Sequence, residues 1–280
     1  MEKLITIIIK LGAVDRRVIF LLVGLSVLIP LIHPVNIPIR PTHQSQTVFD
    51  TVEGLAPNSD VLVSFEYGPS TKPEIHPMAV ALLRQLFRNG HKVYAMALWP
   101  DGLFMSTEAF TTIEEEFLLT YGVDYVNLGF RPGNEAVVKG VAADIKTLFT
   151  TETRGLQISS IPMMEHITNV RDFDLVFSLS AGYPGTKEWV QFACDPNNVP
   201  MSTGCTSIQV TEVLPYVENG QIRGILAGMP GAAEYEALIE HPDEAIAKMA
   251  AQSFAHVIIV LFIIFGNITY FVQRKRAQKR

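Results

Sequence analysis

The sequence predicts an α/β fold, a doubly wound, mainly parallel Rossmann-like sheet flanked by an N-terminal and a C-terminal transmembrane helix. Short β-rich apolar runs alternate with helical stretches through the middle of the chain. This alternation is typical of a parallel sheet covered by helices on both faces. Apolar runs also lie near both ends, at Val18–Ile32 and Phe254–Val272. The second contains no charged residue and has about the 20 residues that a bilayer-spanning helix needs.

Six strands are expected from the β-rich runs between turn residues. They are Asp60–Phe65, Lys92–Leu98, Tyr125–Leu128, Asp174–Leu179, Val199–Ser202 and Arg223–Ala227. The helices between and around them are identified by 3.6-residue periodicity and by capping residues. They are Ser45–Leu55, Pro77–Arg88 before the Asn89-Gly90 cap, a helix from a Ser106 N-cap through Tyr121, Asn134–Phe149, Thr186–Ala193, Ile208–Val217 and Gly231–Glu240.

These elements divide the chain into five segments. Residues 1–33 are an interfacial segment and the first transmembrane helix, and residues 34–58 are a proline-containing linker with a short helix. Residues 59–241 form the α/β domain. Residues 242–273 are a stalk helix that continues into the second transmembrane helix, and residues 274–280 are a basic tail.

The charges predict the orientation of both spans. Four basic residues precede the first span and five follow the second, which by the positive-inside rule makes both termini cytoplasmic. No small-x-small cleavage site follows the first span, which favours an uncleaved anchor over a signal peptide. The chain is therefore expected to cross the cell (inner) membrane twice, with its domain extracytoplasmic. Residues 34–253 hold 13 basic and 26 acidic residues, and this net charge of −13 disfavours nucleic acid as a partner.

Turn-rich loops follow all six predicted strands, at the edge where ligands bind in open parallel sheets. The functional interpretation is a ligand or partner surface on this rim. The structural interpretation is that turns between strands and helices need Gly and Pro to reverse the chain. The candidate ligand-binding residues on the rim are Glu66, Tyr67, Ser70, Trp99, Asp101, Arg131, Ser180 and Thr203.

Sequence signatures of catalysis are missing. Ser180 follows a strand but is not in a G-x-S-x-G motif. The first strand is not followed by G-x-G-x-x-G, and the chain contains no phosphate-binding loop that ends in Gly-Lys-Ser/Thr. The seven histidines do not show metal-binding spacing. The sequence therefore predicts no catalytic residue, no metal and no cofactor, and it disfavours an enzyme.

Three further features concern the second span and the cysteines. His256 and Asn267 lie in the span, where polar side chains usually contact a neighbouring helix. Cys194 ends a predicted helix, and Cys205 lies beyond the strand that follows it. The strand would hold them farther apart than the ~7 Å that a disulfide bridges, so both are expected to be free thiols.

Two resemblances bear on the architecture. The stretch Pro215–Ile222 before the last strand is similar to the corresponding unit of periplasmic sugar-binding proteins, over about thirty residues and without a diagnostic motif. The whole chain resembles an uncharacterised group of prokaryotic two-span membrane proteins with a Rossmann-like extracytoplasmic domain, through Phe65–Arg88, Met96–Gly102 and Gly231–Ile239. The resemblance to this group implies the architecture and no activity.

The sequence leaves two functions open. The favoured one is a non-enzymatic integral membrane subunit whose extracytoplasmic α/β domain assembles with itself or with other membrane proteins in the lipid bilayer. The alternative is a small-molecule-binding sensor or enzyme that uses the rim at the strand carboxyl ends. A deep pocket containing Glu66 and Arg131 would favour the alternative.

Overall fold

The structure, a computed structural model, describes residues 15–33, 35 and 37–278. The predicted interfacial segment at residues 1–11 lies outside them. The chain divides into two compact units. One is Ile39–Ala245, and the other contains the described residues outside that range.

Within the described residues, six parallel strands form one sheet in the order β3-β2-β1-β4-β5-β6. The strands are β1 Asp60–Glu66, β2 Lys92–Ala97, β3 Tyr125–Phe130, β4 Leu175–Ser180, β5 Met201–Cys205 and β6 Ile225–Ala227. The prediction of a doubly wound, Rossmann-like parallel sheet is therefore confirmed. Strand β5 lies two to three residues farther along the chain than predicted, so Cys205 ends this strand instead of following it.

The α-helices of the described residues are α1 Arg16–Ile32, α2 His43–Glu53, α3 Lys72–Arg88, α4 Pro100–Glu114, α5 Glu135–Ala143, α6 Ile145–Leu148, α7 Thr186–Trp189, α8 Asp195–Asn197, α9 Val210–Glu218, α10 Gly228–Leu238 and α11 Glu244–Gln278. Helices α2 to α10 lie in the same unit as the sheet and flank it. A π-helical turn, Val190–Cys194, joins α7 to α8. Helix α10 packs against α2 and α3, helix α3 also packs against α4, and α5 packs against α7 and the π turn.

Helix α4 differs most from the prediction, because it begins at Pro100 and not after Ser106. Trp99 has extended backbone and Pro100 occupies the first turn, where a missing N–H is tolerated. A Cβ atom on Gly102 would lie 2.0 Å from the Phe65 carbonyl oxygen, so glycine allows the helix to begin directly against β1. The Trp99–Gly102 sequence resembles a loop, but here it forms the first turn of a helix.

The C-terminal helix α11 has 35 residues. Its start is fixed by the buried Glu236 of α10, whose carboxylate accepts hydrogen bonds from the backbone N–H of Asp243 (3.0 Å) and of Ala245 (2.9 Å). Among the described helices, the segment Glu244–Lys275 of α11 is long and apolar enough to cross a membrane. The N-terminal apolar run forms α1, which has 17 residues and contains Pro30.

Candidate functional site

The strand order reverses between β1 and β4, and this switch point is where open α/β sheets commonly bind ligands. At the carboxyl edge, β1 ends at Glu66 and β4 ends at Ser180. These two residues are partners in the parallel register. A carboxyl and a hydroxyl group therefore lie on adjacent strand ends at the position with the strongest topological reason to be a site.

The Glu66 side chain is completely buried and accepts hydrogen bonds from three donors. The Ser178 hydroxyl donates at 3.0 Å, the Trp189 indole N–H donates at 3.3 Å, and the Ser64 hydroxyl also donates. Burial raises the pKa of Glu66 to about 8, although the three donors oppose this shift. The carboxyl group is therefore mainly protonated at neutral pH and is hydrogen-bonded within the domain.

Buried hydroxyl groups extend this cluster toward β5. The Thr186 and Thr203 hydroxyl oxygens are 2.8 Å apart, and the Thr186 hydroxyl lies 3.2 Å from that of Ser178. Thr203 also donates to the Ser178 carbonyl at 2.8 Å. The polar atoms at the switch point thus form hydrogen bonds with one another, as buried polar groups generally must.

The Trp99 side chain covers the carboxyl edge of the sheet at the switch point. Its indole N–H donates to the Pro184 carbonyl at 2.9 Å, and a Cβ atom on Gly182 would lie 3.2 Å from its ring. Because β1 lies between β2 and β4 in the sheet, the indole crosses the end of β1 to reach the loop after β4. Glu66 and Ser180 have no solvent exposure beneath it.

The structure places the other predicted rim residues apart from this cluster. The buried Tyr67 hydroxyl lies 2.9 Å from His76 Nδ1 of α3. Ser70 and Asp101 are exposed. Arg131 follows β3, where its guanidinium lies 5.0 Å from the centre of the Phe149 ring. Strand β2 separates β3 from β1, and Arg131 is not among the hydrogen-bond partners that the described residues give to Glu66.

Four residues of the cluster were not predicted, namely Ser64, Ser178, Thr186 and Trp189. The sequence does contain a signal for two of them. Ser64 and Ser178 each lie two residues before a polar strand end, so both strands carry alternating polar positions in otherwise apolar runs. In a parallel sheet, side chains two residues apart lie on the same face. This pattern could have indicated a buried polar cluster.

Two residues predicted to contact other helices are exposed on α11. His256 is exposed, and so is Asn267. The Asn267 amide N–H donates to the Ile263 carbonyl in the preceding turn at 2.8 Å. The amide nitrogen therefore has a partner inside its own helix.

The described residues contain no group of three or more His, Cys, Asp or Glu side chains that could hold a metal ion. Cys194 and Cys205 are free thiols and both are buried. Burial raises the pKa of Cys205 to about 12, and it raises the pKa of Cys194 well above its ordinary value. Neither thiol has the lowered pKa and exposure of a reactive cysteine.

No protein-family description, curated protein or solved structure matches this chain. Its class therefore rests on its own structure. The chain is a Rossmann-like α/β protein with an all-parallel six-stranded sheet in the part that the structure describes. It also contains one described C-terminal helix that is long and apolar enough to span a membrane.

Proposed function

We propose that this protein is a non-enzymatic integral membrane subunit whose extracytoplasmic α/β domain assembles with itself or with other membrane proteins. The proposal agrees with the resemblance to prokaryotic two-span membrane proteins with a Rossmann-like domain. Both termini are then cytoplasmic, and α1 and α11 both span the cell membrane.

Helix α11 carries this proposal. Apolar side chains on different sides of the helix are more than half exposed, among them Val257, Ile263 and Phe271. Exposing such surface to water costs about 25 cal/mol for each square ångström, so it requires lipid or a protein partner. The basic residues Arg274 and Lys275 follow the apolar stretch and suit a cytoplasmic membrane interface.

Helix α1 supports a second span. Its 17 residues give a length of about 26 Å, close to the thickness of a thin hydrocarbon core. Phe20 and Leu21 are exposed on it. Arg16 and Arg17 at its start can extend to the headgroups while the apolar part stays in the bilayer.

The closed switch point supports a role other than catalysis. Chemistry requires a reacting group that a substrate can approach, but Glu66 and Ser180 are completely buried. The polar atoms of the cluster hydrogen-bond one another, and Trp99 lies across the end of β1. These contacts suit a cluster that stabilises the domain.

Membrane orientation can be tested with single reporter cysteines. The two native thiols are buried, so they give little background. A membrane-impermeant maleimide applied to intact cells should label an Arg40→Cys variant, whose site is exposed, but not a cysteine added after Arg280. Labelling of the added cysteine alone would reverse the proposed orientation.

Assembly can be tested by native mass measurement in mild detergent. The full-length protein should appear as an oligomer or with co-purifying membrane proteins. Asn267→Leu should raise the dissociation constant roughly threefold or more, because an interhelical hydrogen bond in a membrane contributes about 0.6–2 kcal/mol. Ile264→Leu, an exposed apolar change on the same helix, is the matched control. A monomer without partners would contradict the proposal.

One observation favours the alternative of a sensor or enzyme at the rim. The buried carboxyl of Glu66 lies at the switch point, where ligands bind in this architecture. If the Trp99 indole moves aside, a ligand could reach Glu66 and Ser180. Native mass spectrometry should then detect a small molecule that co-purifies with the wild type and is lost from Glu66→Gln. If Glu66→Gln keeps both the mass of the co-purifying small molecule and the assembly, that result counts against this alternative.

A further inference from the structure

A cavity of about 580 Å³ lies beside the edge strand β3, away from the switch point. One wall is helix α4, the floor is formed by side chains of β3, and the far wall is the loop with Thr153 and Arg154. This volume lies in the range of about 300–1,000 Å³ that is usual for small-molecule sites. The cavity lies within the α/β unit, and nothing in the proposed assembly function uses it.

Aromatic rings form much of the lining. Phe110 and Tyr125 are stacked with ring centres 4.5 Å apart, and Tyr121 meets Tyr125 edge-on at 4.9 Å. Phe104 is 67% exposed at the side of the cavity. A ligand with a flat apolar body would cover this ring and gain contact with the fixed rings of the floor.

Two carboxylates of α4 line the same cavity. Glu108 pairs through Oε1 with Lys72 at 2.5 Å, and Glu114 accepts a hydrogen bond from the Tyr125 hydroxyl through its own Oε1. Within the described part of the chain, the second oxygen of each carboxylate receives no hydrogen bond. The cavity therefore offers charged acceptors to a ligand that carries N–H donors.

The contacts of Arg154 show that the part of the cavity beside Tyr121 and Glu114 stabilises a positive charge. Its guanidinium lies 3.6 Å from the centre of the Tyr121 ring, and it donates to the Tyr125 hydroxyl at 2.8 Å. It also lies 3.5 Å from Glu114. An aromatic face combined with a carboxylate is a favourable environment for a cation. The Arg154 side chain is half exposed, so a ligand cation can take its place.

We propose that this cavity binds a small aromatic or alicyclic amine. The ring lies against Phe104 and Tyr121, and the ammonium group lies at Glu114, where it replaces the Arg154 guanidinium. The net charge of −13 over residues 34–253 attracts cations toward the domain before they bind. This inference does not rest on the proposed assembly function.

Isothermal titration calorimetry on the full-length protein in lipid nanodiscs tests the proposal, with empty nanodiscs as the blank. Tyramine, benzylamine and cyclohexylamine are the amine probes. 4-Hydroxyphenylethanol and 3-(4-hydroxyphenyl)propionate match tyramine in size but are neutral and anionic. At least one amine should bind, tyramine should bind roughly tenfold or more tightly than the alcohol, and the carboxylate should not bind.

Variants of the lining residues identify the site. Glu114→Gln should weaken amine binding roughly tenfold, because it removes the charged acceptor. Thr111→Trp, which fills the cavity from α4, should abolish it. Arg154→Ala should leave binding unchanged or tighter, since the ammonium replaces the guanidinium. Glu115→Gln, an exposed change outside the lining, should have no effect and serves as the charge-matched control.

Three results would overturn the proposal. The first is the absence of heat from all three amines up to millimolar concentration. The second is tighter binding of the carboxylate, or loss of binding in Arg154→Ala, because either would make Arg154 the recognition group for an anion. The third is amine binding that survives in Thr111→Trp. Assembly is measured separately by mass, so failure of this inference leaves the proposed function unaffected.

Discussion

Replacing Glu66 with glutamine should make the domain more stable at neutral pH and should remove part of its pH dependence. Below pH 4.5 the carboxyl group is protonated in both the folded and the unfolded chain. Between pH 4.5 and about 8 it ionises in the unfolded chain only, because burial raises its pKa in the folded protein. Stability that is present at low pH is therefore lost as pH rises through this window.

The size of the effect follows from the shift in pKa. A rise from 4.5 to about 8 corresponds to at most about 5 kcal/mol, at roughly 1.4 kcal/mol for each pH unit. From pH 5.5 to pH 7.5, the wild type should lose roughly 3 kcal/mol relative to Glu66→Gln. Glutamine keeps the shape of the side chain, accepts from the Trp189 indole N–H with its oxygen and donates to Ser178 with its nitrogen.

Urea unfolding of the full-length chain in mild detergent, followed by circular dichroism at several pH values, measures this difference. Glu115→Gln removes an exposed carboxylate and should follow the wild type across the same range. The difference in unfolding free energy between wild type and Glu66→Gln should grow as pH rises. If that difference is constant from pH 5.5 to pH 7.5, Glu66 does not have the raised pKa that its burial implies.

Four further predictions concern packing, ion pairs and reactivity. Gly102→Ala should destabilise the domain by about 2–3 kcal/mol in urea unfolding, because its new Cβ atom would lie 2.0 Å from the Phe65 carbonyl oxygen. Arg84→Met should cost roughly 3 kcal/mol by the same assay, since its buried guanidinium makes two hydrogen bonds to Glu116. Lys72→Met, which breaks an exposed ion pair, should cost less than about 1 kcal/mol. The two native thiols should resist a soluble disulfide reagent in the folded protein and react after urea denaturation, as followed by absorbance.

The sheet could be predicted because each strand is a short apolar run bounded by turn residues. All six runs form strands, with boundaries that lie within three residues of the predicted ones. Helix starts were harder to predict. The first turn of α4 contains Pro100 and Gly102, which favour turns when they are considered only as local sequence. Only the close approach to the Phe65 carbonyl oxygen explains why they begin a helix, and that contact joins residues on different elements.

The sequence placed Glu66 and Ser180 at the ends of their strands, and the structure brings these two residues together as partners in the register. Thr203 was expected after its strand but lies inside β5, paired with Ser178. The burial of these residues could not be predicted. It depends on the Trp99 indole crossing the end of β1 and on hydroxyl pairing between Thr186 and Thr203. Both are contacts between residues far apart in the sequence, so strand-by-strand patterns do not contain them.

The positions of the tryptophans allow the switch point to be monitored by intrinsic fluorescence. The chain contains two tryptophans. Trp189 donates its indole N–H to Glu66, and Trp99 donates its own to the Pro184 carbonyl. Excitation of indole in the unlabelled protein therefore gives a fluorescence signal from this one region. Because Trp189 is buried and Trp99 is partly exposed, movement of the Trp99 indole should shift the emission spectrum, whereas events elsewhere in the chain should leave it unchanged.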